Sequence, residues 1–382
     1  MVEYWWFIVS LLGAILVFMM FVQGGQTLIY AVGKTEPEQT LVVNTLGRKW
    51  ELTFTTLATF GGAIFAAFPL FYSTSFGGAY AAWMLLLLCF ILQAISYQFR
   101  TKVGNILGKR TYEVFLLING LLGTVLLGVV VGTFFTGAPF SVEKGNLMQL
   151  GGSGHLVISS WRSPWLGLEA LANPINVALG LAVFFLARTL GLIYFAGYID
   201  NENIITRCRK LLLRNAMLFV LLFVFALVAV LLKDGAAVDA TTGKAYMEPY
   251  KYLHNLLAMP HVLVLLLLGV VLLLLAIAKV YLYKNAQGRK SHFWLAAFGT
   301  ACVVLSLLLC AGYNHTAFYP STYNLQDSLT IYNSSSSPFT LKVMAVASII
   351  IPFVVGYIAY VWHAMSRKKI SLEEVEQDEH SY

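Results

Sequence analysis

Apolar runs of about twenty residues alternate with short polar connections along the whole chain, the length a helix needs to cross ~30 Å of hydrocarbon. Nine such runs predict nine membrane-spanning helices, over 5–32, 51–73, 78–98, 112–136, 172–198, 211–232, 260–283, 292–313 and 340–365. They group as four, four and one. A first four-helix bundle fills 1–136, an external connection 137–171, and a second four-helix bundle 172–313. An external loop at 314–339, a peripheral ninth helix at 340–365 and a tail at 366–382 complete an all-α integral membrane protein. Aromatic residues cluster at run ends, such as Tyr4, Trp5 and Trp6 or Tyr281 and Tyr283, where interfacial anchoring places them.

The second run departs from a plain hydrophobic pattern. It opens on Arg48, Lys49, Trp50 and Glu51, and then Ala58, Gly62 and Ala66 recur every four residues. That spacing stacks small side chains into a seam that a neighbouring helix backbone can approach closely. Pro69 removes an amide donor and frees the carbonyl of Phe65, which predicts a kink or short break.

Composition agrees with a membrane setting. The chain is 59% hydrophobic and 11% charged, with a mean hydropathy of +0.75, whereas soluble domains carry about 25% charged residues. The net charge of +7 does not mark a nucleic-acid binder, because the cations occupy short connections rather than a patch. With the N-terminus outside, seventeen Lys and Arg residues fall in inner connections and five in outer ones. This asymmetry predicts an external N-terminus and a cytoplasmic C-terminus. The first helix reads as retained rather than cleaved, since no Lys or Arg precedes it and no small-residue cleavage site follows.

Candidate chemistry is sparse. The four cysteines, Cys89, Cys208, Cys302 and Cys310, lack metal-site spacing, and no metal ligand set is expected. No histidine lies in the middle of a predicted helix, so no haem ligand is expected on this chain. Glu51 has two readings: a carboxylate complementing a positive helix N-terminus, or a proton-transfer residue beside Trp50. Arg188 lies deeper and requires a polar partner, for which Glu51 is one candidate. Gln23 and Gln26, flanking Gly24 and Gly25, form a polar notch that either binds a neighbouring helix or lines a wet or quinone-accessible path. Asn119, Asn173 and Asn176 carry the same pair of readings more weakly, and Arg100 reads as an anchor for the inner end of helix 3.

These residues carry a family resemblance. Asn44-x-x-Gly47-x-x-Trp50-Glu51, followed by Thr59-Phe-Gly-Gly-Ala-Ile-Phe-Ala-Ala-Phe-Pro69, is similar to helix 2 of subunit II of the cytochrome bd quinol oxidases. Tyr97-Gln-Phe-Arg100-Thr-Lys102, Gly128-Val-Val-Val-Gly132 with Gly137-Ala-Pro-Phe140, Thr189-x-Gly191-x-x-Tyr194 and the segments from Tyr319 to Leu341 extend it over nearly the whole length. The resemblance implies a haem-free subunit with no cofactor of its own. Its partner, subunit I, would carry haem b and haem d and oxidise quinol. Small single-helix subunits and membrane lipid are further implied partners, in a bacterial cytoplasmic membrane. It also implies that Glu51, in place of the family's aspartate, belongs to a cytoplasmic proton route. The chain departs from the family pattern where Gln23 and Gln26 replace two acids, and where Arg48 and Lys49 replace Pro-His. A secondary transporter and a purely structural scaffold are the alternatives. The transporter lacks a pair of broken helices at matching positions.

Overall fold

The computed structural model describes residues 1–102, 104–143, 157–282, 290–366 and 369–371. The glycines at 151, 152 and 154, His155 and the acidic tail with His380 lie outside them. Among the described residues, eight helices are long and apolar enough to cross a membrane: Val2–Gln26, Tyr80–Phe99, Lys109–Thr136, Pro174–Tyr198, Glu202–Leu231, Pro260–Leu282, Lys290–Gly312 and Pro338–Met365. The run predicted as 51–73 appears as two helices, α5 (Trp50–Ala67) and α6 (Pro69–Gly78). Phe68, with φ −132° and ψ 63°, separates them, and Pro69 starts α6 at a position where no amide donor is needed. Pro69 therefore breaks this run as its sequence predicts.

The first run is also interrupted. Instead of one helix over 5–32, it forms α1 (Val2–Met19), α2 (Phe21–Gln26) and α3 (Ile29–Val32). A further helix, α4 (Glu36–Gly47), occupies a stretch read as a bare connection. Its start is a capping box: Thr35 accepts from the Glu38 amide while the Glu38 carboxylate accepts from the Thr35 amide. Residues Leu41 to Gly47 of α4 are buried, so it folds back under the bundle.

The remaining elements follow in order. α7 is Tyr80–Phe99; α8 (Lys109–Ile118), a π-helical turn (Asn119–Gly123) and α9 (Thr124–Thr136) form one continuous span. Next come α10 (Pro174–Tyr198), capped by Asn173, and α11 (Glu202–Leu231), capped by Asn201. α12 (Lys251–Ala258), α13 (Pro260–Leu282) and α14 (Lys290–Gly312) precede the final pair, α15 (Pro338–Ala347) and α16 (Ile351–Met365). At the end of the bundle opposite α4, two antiparallel hairpins cover the helices. β1 (Phe140–Val142) pairs with β2 (Ser159–Trp161), and β3 (Gly235–Val238) with β4 (Ala245–Glu248).

Close helix approach depends on missing side chains. A Cβ on Gly24 would lie 2.0 Å from the carbonyl carbon of Ala187, so α2 and α10 touch backbone to backbone. Gly269 and Gly299 play the same part between α13 and α14. Two apolar cores result, one at each end of the helices, and each draws on both halves of the chain. Near the hairpins, Trp6, Phe68, Phe71, Phe134 and Phe318 meet edge to face. Near α4, Phe21 meets Phe293 edge to face and Tyr194 at a tilt, while Phe293 stacks on Trp362. The last helices touch the rest at both ends and, where the Tyr4 hydroxyl meets the Ser348 hydroxyl at 2.8 Å, in between. At the ends the Trp5 indole donates to the Leu341 carbonyl at 3.0 Å, and Trp362 enters the core.

Candidate functional site

Glu51 stands in the first turn of α5, exposed and without a hydrogen bond or ion pair among the described residues. Thr55, Ala58, Thr59, Gly62 and Phe65 follow on the same helical face and are exposed too. A Cβ on Gly62 would meet nothing within 4 Å. No helix of this chain occupies the small-residue seam among the described residues, so any close neighbour there must come from outside the chain.

One residue away, Trp50 is buried and stacks on Tyr97, with ring centres 5.6 Å apart and planes 14° apart. Tyr97 opens a buried polar column. Gln93, Ser96, Tyr97 and Arg100 recur at i, i+3, i+4 and i+7 on α7, which places them on one face. Gln26 donates to the Tyr97 hydroxyl at 3.1 Å, and Gln23 donates to the Gln93 carbonyl oxygen at 3.2 Å. The predicted notch therefore does bind a neighbouring helix. It is not saturated, however: Gln23 Oε1, Gln26 Oε1, Gln93 Nε2 and both polar atoms of Asn119 are buried without a protein partner. Each such atom costs about 1–3 kcal/mol if left unpaired, and water is the partner that buried polar sites of this kind take up.

Arg100 stands at the end of α7. It is 2% exposed, and its Nε and Nη2 donate to Glu113 Oε1 at 3.1 and 2.7 Å. The Tyr30 hydroxyl donates to Glu113 Oε2 at 2.6 Å. Beyond them Lys109 bonds Thr40 at 3.1 Å and Glu36 at 2.8 Å, which carries the column to the surface. Glu113 and Gln93 escaped the sequence reading. The signal was present, because Glu113 is the one acid within the run predicted at 112–136.

Lys49, counted in the sequence as a cation of a connection, is 1% exposed. Its ammonium lies 4.3 Å from the centre of the Trp362 ring and has no hydrogen-bond partner among the described residues. Burial, with Arg48 beside it, pulls its pKa down to about 8. Burial pulls the Glu38 carboxyl up, but Arg207 at 2.6 Å and the Lys34 and Thr35 amides outweigh it and hold it below the usual carboxylate range.

Arg188 does not meet Glu51. Its Nε donates to Asn215 Oδ1 at 2.8 Å, and its Nη1 donates to the hydroxyl and carbonyl of Thr27 at 2.8 and 3.3 Å. Thr27 ends α2, so the guanidinium caps the interruption in the first span. Asn173 caps α10, and Asn176 bonds Thr136 and the Ala170 carbonyl.

The residues do not suit a haem. His254, His261, His315 and His363 are exposed, and His292, though buried, sits in the first turn of α14. An apolar cavity of about 60 Å³ between Val17, Leu127, Leu186 and Phe219 is lined by no ligating side chain. A polar cavity of about 210 Å³ near the hairpins is lined by Glu169, Asn176, Thr136 and Tyr319, again without His, Met or Cys. Among the described residues no cluster of three His, Cys, Asp or Glu is placed to hold a metal ion.

Fold and site together define a multi-pass helical membrane protein with one unpaired carboxylate beside a buried polar column. The family model for cytochrome bd terminal oxidase subunit II matches residues 1–365, and the chain belongs to that family. It is 26% identical over 396 residues to the cytochrome bd-I ubiquinol oxidase subunit 2 of Escherichia coli K12, covering 99% of this chain and 97% of that one. It is 25% identical over 394 residues to a probable cytochrome oxidase subunit 2 of Haemophilus influenzae, with coverage of 99% and 97%. Against the cytochrome bd ubiquinol oxidase subunit 2 of Bacillus subtilis it is 25% identical over 355 residues, covering 90% and 88%. The fold matches a chain of the bd oxidase from Geobacillus thermodenitrificans with a TM-score of 0.66 at 15% identity, covering 95% and 96%. The protein is thus a subunit of a bd-type quinol oxidase, a complex that uses haem and pairs subunit II with subunit I. This membership favours the oxidase over the transporter.

Proposed function

We propose that this chain is the haem-free subunit of its oxidase and that Glu51 receives protons from the cytoplasm at the boundary with subunit I. The observation that carries the reading is the shared face: Glu51 and the uncovered Ala58–Gly62 seam project to the same side of α5. A helix of subunit I packed into that seam would pass beside the carboxylate. Haem b and haem d, placed on subunit I, supply electron transfer and oxygen chemistry to the complex, and quinol is oxidised there. This chain's part is to brace that subunit and to hold and pass a proton at the Glu51 carboxylate.

The unpaired amide atoms of Gln23, Gln26, Gln93 and Asn119 favour a hydrated column behind Trp50. Gln23 and Gln26 carry no titratable proton, so they order water rather than store charge. In this reading α5 and α6 make the second of nine crossings, the N-terminus faces outside and the α4 end faces the cytoplasm of a bacterial inner membrane. The two groups of four helices, 1–136 and 172–313, and the peripheral ninth at 340–365 complete the arrangement.

The test is Glu51→Gln in the intact complex. Quinol oxidase turnover falls while the haem spectrum stays near normal; unchanged turnover leaves Glu51 as a helix-end charge and this chain as scaffold.

A further inference from the structure

The mechanism proposed above makes no use of Arg188, and the column does not include it. Arg188 is half-buried in α10, and every partner it has among the described residues is neutral: Asn215, the Thr27 hydroxyl, the Thr27 carbonyl and the Phe184 ring at 5.4 Å. Hydrogen bonds of this kind orient a guanidinium but leave its charge uncancelled. Its Nη2 makes no hydrogen bond among the described residues and is not sealed from the surface.

A second cation is carried by the same stretch of α11 that holds Arg188. Arg214, the residue before Asn215, is exposed and has no acidic partner among the described residues. Lys210, one turn earlier on α11, is exposed as well. Arg207 contributes nothing here, being paired with Glu38 at 2.6 Å. Twenty residues counted back from Leu231, enough to cross ~30 Å of hydrocarbon, end near Leu212. Arg214 thus sits at the level where hydrocarbon gives way to headgroups. From there the same face of α11 continues through Met217, Leu221, Val224 and Val228, all exposed. Phe225 is exposed beside them, so the apolar track is open along its length.

We infer that Arg188 and Arg214 hold the phosphodiester of an anionic glycerophospholipid whose acyl chains lie along the apolar face of α11. The arrangement is amphiphilic in the order such a lipid requires, with uncompensated cations at the headgroup level and an apolar track below. A phosphate oxygen bridging Arg188 Nη2 and the Arg214 guanidinium would supply the counter-charge that no acidic side chain provides. Arg is suited to the task, since its planar donors match phosphate oxygens. The inference is independent of the role assigned to Glu51.

Native mass spectrometry of the purified oxidase complex tests it, with dioleoyl phosphatidylglycerol, dioleoyl phosphatidylcholine or inorganic phosphate added in turn. The wild-type complex retains one phosphatidylglycerol in preference to phosphatidylcholine. Retention falls about fivefold in Arg188→Gln and in Arg214→Gln, the factor expected per cation near an anionic headgroup, and is unchanged in Lys244→Gln on the far hairpin. If Arg188→Gln fails to assemble, Arg214→Gln decides alone, because that side chain is exposed and its loss disturbs no packing. Equal retention in wild type and Arg214→Gln overturns the site, as does a wild-type complex that holds no phosphatidylglycerol. Displacement of the lipid by millimolar inorganic phosphate would make this a free-phosphate site and would also overturn it.

Discussion

Glu51 and Glu113 lie at the same end of the bundle and differ in everything that decides their roles. Glu113 is 4% exposed and takes three hydrogen bonds, two from Arg100 and one from Tyr30. Glu51 is exposed, with no partner among the described residues. A carboxylate enclosed by a cation and a phenol is committed to architecture, because removing the cation strands a buried charge. A carboxylate left open on a face that no helix of the chain covers is free to exchange protons once a partner closes over it. The contrast shows that placement relative to the subunit boundary, not residue type, separates a structural acid from a working one.

The largest effect expected from disturbing this contrast is on the sealed side. Arg100→Ala leaves Glu113 charged and buried and destabilises the fold by about 3–5 kcal/mol, read as a steep fall in the unfolding temperature of the detergent-solubilised complex. A mild effect would mean that the column tolerates an open carboxylate.

Lys49, between the two regions, gives the next effect and the opposite sign. Its ammonium is buried with a folded pKa of about 8, against 10.5 in its ordinary state. Below pH 8 both folded and unfolded states bind the proton, so the burial cost is fully present. Between pH 8 and 10.5 the unfolded chain binds more protons than the folded one, and stability rises with pH. Lys49→Met therefore stabilises the protein at pH 7 by about 2 kcal/mol, after allowing for the lost contact with the Trp362 ring. The gain shrinks as the melt is repeated towards pH 10. A gain independent of pH would contradict a buried charged lysine.

Gly62→Leu sharpens the contrast from the open side. A Cβ here meets nothing within 4 Å among the described residues, so the main effect appears on assembly. An overpacked seam costs about 1–3 kcal/mol, seen as reduced recovery of subunit I with the tagged chain. Undiminished recovery would place the partner on another face.

Glu51→Gln lowers turnover by about tenfold, a modest loss for a residue engaged in proton transfer, and Glu51→Asp, which keeps the carboxylate, stays within about threefold of wild type. Equal losses in both would point to packing at the helix mouth rather than to proton exchange.

Much of this could be read from the residues in order. Apolar runs of membrane length, the break at Pro69, the polar notch at Gln23 and Gln26 and the acid after Trp50 are local properties. Each depends on side-chain polarity or a missing amide within a few positions. The partners were not legible in the same way. Arg188 takes Thr27, from 161 residues away, and Arg100 takes Glu113; such pairings depend on which helices lie side by side.

The chain's order of apolar and polar residues was enough to specify a helical membrane subunit, its interruptions and its one suspect carboxylate, because the cost of polar groups in hydrocarbon is charged residue by residue. Exposure and enclosure were settled only when the helices packed. The burial of Lys49 under Trp362, the sealing of Glu113 and the open seam on α5 each arise from contacts, or from their absence, between segments far apart in the chain.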